Sequence, residues 1–243
     1  MTMIVSSVFT DIGSRAVNED SVGTAVNALG QGFFLCDGLG GHGMGDAASQ
    51  LVVSVMKDQF EKTGNISEFL APAFQASQDI LMAEQKLRGA TKKMKTTGTA
   101  LVTDGKYAYI GHVGDSRVYV FRHNKVWKRT LDHSIPQMLV MSGEIKESEI
   151  RHHPDRNIVL RVLGVEWDEP QYELMNPIPL RKCQAFLLCS DGFWELIEEK
   201  QMEELLKKAH SPEEWLRSMA AVVKENGAGL NMDNNSAIAV WNS

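Results

Sequence analysis

The chain has 243 residues, 43% of them hydrophobic and 23% charged. That is ordinary globular composition, long enough to bury a substantial core, and it excludes a chain that is disordered throughout. A formal net charge of −6 argues against non-specific nucleic-acid binding; the excess of carboxylates suits either a hydrated acidic surface or a cation site.

Residues 3–10 are expected to form a strand. Residues 32–36 (GFFLC) are a short apolar run ending at Asp37, the pattern of a buried strand. A glycine-rich loop, GLGGHGMG, follows. The spacing of Ala47, Leu51, Val55 and Phe60 predicts a helix over 46–62, and a second helix is expected over 66–87. From 97 to 130 the pattern alternates, rich in Val and Tyr, with breaks at Asp104-Gly105, Gly114-Asp115 and His123-Asn124. Those are turn dipeptides, so an antiparallel meander is predicted. Residues 132–164 contain short helical pieces split by Gly143 and Pro154, either a mobile flap or an irregular connection. Residues 184–190 (QAFLLCS) form another apolar strand ending at Asp191; helices over 193–209 and 212–226 and a strand over 236–241 close the chain. Strands and helices do not alternate singly. That disfavours a doubly wound parallel sheet and favours an α+β fold with helix pairs covering antiparallel sheets.

Cys36, Cys183 and Cys189 are odd in number and form no CxxC pair, so neither a disulfide scaffold nor a zinc ribbon is expected. Cys36 and Cys189 lie in apolar runs and suit buried thiols. No stretch approaches the roughly 20 apolar residues of a membrane span, and residues 1–10 lack a leader pattern, so a cytoplasmic protein without membrane contact is expected. With no repeat, low-complexity tract or long linker, one domain over 1–243 is the simplest account.

Asp20, Asp37, Asp191 and Asp233 share a setting at strand–loop junctions. One Asp-Gly is a turn signal. Several acids at the ends of apolar strands repel one another and lose hydration, a combination rarely tolerated without cations. Oxygen donors suit hard ions such as Mg²⁺, Mn²⁺ or Ca²⁺. The seven histidines include no HExxH, and adjacent His152 and His153 cannot share a helix face, so zinc is not expected. Two hard cations can acidify a shared water and hold phosphate oxygens. An arginine can grip a phosphate through two parallel hydrogen bonds. Arg15, five residues before Asp20, is the candidate; its alternative is a surface salt bridge with Glu19. The glycine loop lacks the Lys-Ser/Thr of an ATP-binding P-loop. Its glycines would let the backbone pass close to a metal, with the Gly38 carbonyl as a ligand. His42 suits either a general acid or a loop histidine satisfied by solvent.

RAVNEDS (15–21), CDGLGGHGMGD (36–46), TTGTALV (96–102), GHVGDSRVYV (111–120), LDHS (131–134), NIVLRVLG (157–164), LLCSDGFWEL (187–196) and DNNSAIAV (233–240) occur in order. Together they resemble the bacterial branch of the type-2C (PPM-type), metal-dependent serine/threonine phosphatases, over nearly the whole chain. The resemblance implies a four-layer α-β-β-α sandwich, two central antiparallel sheets flanked by antiparallel helix pairs. It implies that Asp37 bridges two Mn²⁺ or Mg²⁺ ions, that Gly38 adds its carbonyl, and that Asp191 and Asp233 complete the second ion's site. Asp20 and Glu19 would act through coordinated water, Arg15 would bind phosphate, and Asp115 with Asp191 would hold a weaker third ion. Residues 135–160 match a variable flap beside the cleft. The implied activity is dephosphorylation of phosphoserine and phosphothreonine in proteins by direct attack of a metal-bridging hydroxide. The implied partners are phosphoprotein substrates and an opposing serine/threonine kinase, with the chain a monomer. Two departures stand out: GLGG replaces the commoner GMGG, and His42 lies later in the loop than the histidine given the acid role in eukaryotic relatives. Competing readings are a phosphoprotein-binding module without turnover, which the intact acids oppose, and a phosphatase of the same fold specialised for small phosphoesters or another phosphoprotein type.

Overall fold

Residues 4–39, 43–91 and 93–242 are described by the computed structural model. In chain order the strands are β1 (Ile4–Asp11), β2 (Asp20–Asn27), β3 (Gly30–Asp37), β4 (Gly98–Thr103), β5 (Tyr107–Val113), β6 (Arg117–Arg122), β7 (Lys125–Arg129), β8 (Glu173–Leu174), β9 (Ile178–Pro179), β10 (Ala185–Cys189) and β11 (Asn235–Asn242). The helices are α1 (Gly45–Lys62), α2 (Leu70–Leu87), α3 (Ile135–Ser142), α4 (Asp191–Trp194), α5 (Glu199–Lys208) and α6 (Pro212–Asn226). One antiparallel sheet runs β1-β11-β10-β6-β7; the other runs β2-β3-β4-β5-β8, with β9 also paired to β5.

Strand residues alternate between faces, and here both faces are apolar. Phe34 packs outward under α1 and α2 with Met56, Phe60 and Phe74, while Phe33 and Leu35 point between the sheets. Val118, Val120, Phe186 and Leu188 share that middle layer. Tyr119, Phe121 and Leu187 face the other way, against Trp194, Trp215 and Met219 of the second helical layer. The result is the α-β-β-α sandwich, with three apolar layers. This double burial is why GFFLC and AFLLC are unbroken apolar runs rather than alternating ones. Each fully buried large side chain contributes about 1.5–3 kcal/mol.

Several boundaries depart from the sequence expectation. Strand β2 was not anticipated, because DSVGTAVN is polar and half exposed. Gly23 within it carries no Cβ because one would lie 2.6 Å from Val53 of α1, so the helix can settle on the strand. The helix expected over 66–87 begins as a 3₁₀ turn, Ile66–Glu68, before α2. The helix expected over 193–209 is two, α4 and α5, separated at 195–198. The meander is not one sheet: β4 and β5 pair in one, β6 and β7 in the other, and the chain crosses over at residues 114–116. No helix of the described residues is long and apolar enough to cross a membrane.

Candidate functional site

The register of the strands sets where the acids fall. In the β2–β3 ladder Asp20 stands opposite Asp37 at the end of both strands. In the other sheet β10 pairs with β11, so Asp191, just after β10, lies near Asp233, just before β11. Stacking the sheets brings these two ends together, and the crossover between the sheets adds Asp115. The electrostatics record the convergence. Asp37 is pushed well above the usual carboxylate range by burial and then by Asp191, Asp20 and Asp115. Asp191 is raised by burial and by Asp233, and shares a side-chain hydrogen bond with Asp37. That bond needs a proton held between two carboxylates. Burial raises Asp20 to about 7 against the hydrogen bonds of Ser190 and Ser236. Asp115 is raised by burial, Asp191 and Asp132; Glu19 is raised by burial and Asp46. Asp20 Oδ1 is buried with no hydrogen-bond partner.

Crowded, buried carboxylates with an orphaned oxygen are what hard divalent cations would relieve, and the donors are all oxygen. Gly38 fits the same account. Its N–H donates to the Glu19 carbonyl at 3.0 Å, and a Cβ would lie 2.2 Å from the Gly45 carbonyl oxygen. Only glycine lets the chain pass there.

Residues the sequence argument passed over hold the acids in place. Ser190 Oγ donates to Asp20 Oδ2 at 2.8 Å and accepts the Ser236 N–H at 3.0 Å. Thr97 Oγ1 accepts the Asp37 N–H at 2.9 Å and lies 2.9 Å from Ser116 Oγ, tying Asp37 to the Asp115 crossover. Asn234 accepts the Glu19 N–H at 2.8 Å and donates to the carbonyls of Ile12 and Val17, pinning the loop that carries Arg15. Polar residues flanking an acid in DNNS and CSDG were the available signal.

Arg15 pairs with Asp233 at 2.5 Å, both half exposed, and not with Glu19. With Asp191, Asp233, Glu195, Leu196 and Leu230 it lines a cleft of about 310 Å³, to which residues 135–160 contribute Arg156 and Asn157. Glu195 was not foreseen. Burial and Asp191 raise it to about 7, while Arg156 stands 3.1 Å away. A larger hollow of about 450 Å³ beside Trp167 contains none of the aspartates of the cluster, so volume does not identify the site. His42, the candidate acid, lies outside the described residues.

Among the described residues, one trio of His, Cys, Asp and Glu brings its ligand atoms within 4.8 Å of one another: His112, His133 and Glu173. The aspartates of the cluster do not form such a close group. The trio itself is poorly arranged for an ion. Its two rings stack 4.6 Å apart with 20° between their planes, so their lone pairs lie in nearly parallel planes. His133 Nδ1 already accepts the Gly114 N–H at 3.1 Å, leaving Nε2 as the protonated nitrogen. Burial and His112 push His133 down to about 4, so it is neutral near pH 7.

The sequence model described as Protein phosphatase 2C matches residues 10–232. The serine/threonine phosphatase stp of Listeria welshimeri is 33% identical over 230 residues, covering 90% of this chain and 89% of that protein. The solved structure of the serine/threonine phosphatase Stp1 from Staphylococcus aureus matches with a TM-score of 0.90 at 30% identity, covering 100% of this chain and 96% of that one. The catalytic domain of the phosphatase PstP, solved in complex with two manganese ions, matches with a TM-score of 0.80 at 27% identity, covering 99% of each chain.

Proposed function

This chain belongs to the protein phosphatase 2C family, and we propose that it removes phosphate from phosphoserine and phosphothreonine in proteins. The observation that carries the reading is the convergence of Asp20, Asp37, Asp115, Asp191 and Asp233 at one end of both sheets, with Arg15 at the rim of the adjoining cleft. The family is metal-dependent, and these residues fit Mn²⁺ or Mg²⁺. Asp37, Asp191, Asp233 and the Gly38 carbonyl would hold two ions. Asp20 and Glu19 would act through water, and Asp115 with Asp191 would hold a weaker third. Such ions, when bound, supply an acidified water and a cationic seat for phosphate oxygens.

The chain's own residues do the rest. Burial and neighbouring acids raise both Asp37 and Asp191, and a bound cation would offset that repulsion. Arg15, paired here with Asp233, becomes available to phosphate when that carboxylate's charge is met elsewhere. Its guanidinium can then hold two equatorial oxygens and line the phosphorus up for in-line attack by water. A thiol phosphoenzyme is disfavoured. Cys36 and Cys189 are buried, and burial raises both thiols far above neutrality. The whole of 1–243 acts as one catalytic domain, a monomer in the cytoplasm. Residues 135–160 serve as its flap, phosphoproteins as its substrates and a cognate serine/threonine kinase as its opponent.

The test is phosphate release from a phosphothreonine peptide after EDTA stripping. Mn²⁺ or Mg²⁺ should restore turnover; bound metal without turnover would leave only a phosphoprotein-binding module. Arg15→Ala should lower kcat/KM about 10–100-fold, the worth of a charge-assisted hydrogen-bond pair, with Mn²⁺ affinity kept. A loss of Mn²⁺ binding in that variant would make Arg15 a structural partner of Asp233 instead.

A further inference from the structure

The turn carrying Asp115 lies where the chain leaves β5 for β6, beyond the reach of either ladder. Gly114 adopts φ +106°, and a Cβ there would lie 2.6 Å from the Thr97 methyl. Apart from the Ser116–Thr97 contact, two side chains grip this turn. His133 holds Gly114 twice: its main-chain N–H donates to the Gly114 carbonyl at 2.9 Å, and its Nδ1 accepts the Gly114 N–H at 3.1 Å. Trp194 Nε1–H donates to the Asp115 carbonyl at 3.0 Å.

The His133 ring is itself held. It is buried and stacked on His112, whose Nε2–H donates to the Leu131 carbonyl at 2.7 Å. Residues 135–160 also close on this histidine. The Leu160 N–H donates to the His133 carbonyl at 2.7 Å, and Ser134 bridges to Val159. One buried residue therefore joins the base of that segment to the turn that aims Asp115.

We propose that His133 is a positioning residue, clamping Gly114 through Nδ1 and the main chain so that the Asp115 carboxylate and the base of residues 135–160 are held in one register. The proposal rests on the reading of Asp115 as a residue of the cation site. Its consequence is selective. His133 touches neither Asp37 nor Asp233, and its link toward Asp37 runs only through the Ser116–Thr97 contact, so the site at Asp115 should depend on it more than the tighter cation sites do.

The experiment is calorimetric Mn²⁺ titration of the EDTA-stripped full chain and three variants. In His133→Asn the side-chain carbonyl oxygen replaces Nδ1 as acceptor. His133→Leu has similar bulk and no acceptor. Asp115→Ala removes the carboxylate. Asp115→Ala should lose the weakest Mn²⁺ site. His133→Leu should weaken that site about tenfold and spare the others, the effect of leaving a buried N–H unpaired, and His133→Asn should stay within about threefold of the parent. If Asp115→Ala loses the site and His133→Leu binds like the parent, the positioning role is overturned. If Asp115→Ala itself has no effect, the reading of Asp115 is what fails. Should the leucine variant not fold, His133→Gln decides: its longer amide carries the acceptor past Gly114, so weakened binding supports the clamp and parental binding overturns it.

Discussion

Asp37→Asn is expected to abolish phosphate release while making the cation-free protein more stable. On the proposed reading Asp37 would contribute to both cation sites, so its loss should lower turnover by about 10³-fold or more. The stability gain follows from the cost of assembling the cluster. Burial and three neighbouring acids raise the Asp37 carboxyl, and a proton is needed for its hydrogen bond to Asp191. A carboxyl whose folded pKa is raised makes the folded state bind more protons than the unfolded one. The resulting penalty is absent below the unfolded value, near 4, and grows as pH rises toward the folded value. Asp20, raised to about 7, extends that window to neutrality. The cation-free parent should therefore be more stable at pH 5 than at pH 8. Asp37→Asn should show a shallower slope and gain about 1–3 kcal/mol at the higher pH, at roughly 2–4 °C in Tm per kcal/mol. Thermal unfolding in EDTA at both pH values measures this. An asparagine variant less stable than the parent would mean that the Asp37–Asp191 hydrogen bond outweighs the repulsion.

Asp132→Ala should be the most destabilising of the single changes considered, at about 3–5 kcal/mol. Arg117 and Asp132 are both buried and meet through two bonds, Nε to Oδ1 at 2.8 Å and Nη2 to Oδ2 at 2.6 Å. Arg117 also donates to Tyr119 Oη at 2.9 Å, and its guanidinium lies 3.4 Å from the centre of the Trp194 ring. Removing the carboxylate leaves a buried guanidinium with its main counter-charge gone, since Glu199 is 3.7 Å away and partly exposed. The effect should spread to the site, because the same Trp194 donates to the Asp115 carbonyl. Denaturant unfolding of Asp132→Ala against Arg117→Met/Asp132→Leu separates the parts. The double variant removes both charges and should recover much of the loss. A cost under about 1 kcal/mol for Asp132→Ala would show that water reaches Arg117 and solvates it.

The sequence by itself pointed to antiparallel sheets covered by helix pairs and to a set of acids at strand–loop junctions. GFFLC and AFLLC are continuous apolar runs because their strands are covered on both faces, and a run of that kind is visible without coordinates. Asp37 and Asp191 stand at the ends of such runs, and Asp20 and Asp233 at other strand–loop junctions, and several carboxylates in that setting are costly together. Eight motifs in order then supplied the family resemblance and with it Asp115, whose own setting in the sequence is an ordinary Gly-Asp turn.

Tertiary structure decided the rest, for reasons that local pattern cannot carry. DSVGTAVN becomes β2 only because β3 offers it a ladder and Gly23 makes room for α1. The meander splits between sheets at Gly114, which no alternation of Val and Tyr records. Arg15 faces Asp233, a partner more than two hundred positions away, rather than its near neighbour Glu19, because Asn234 holds the loop across the sheet end. His133, Ser190 and Trp194 carry no separate signal within their motifs. Their roles are hydrogen bonds to groups distant in the chain, and those partners exist only once the two sheets are stacked.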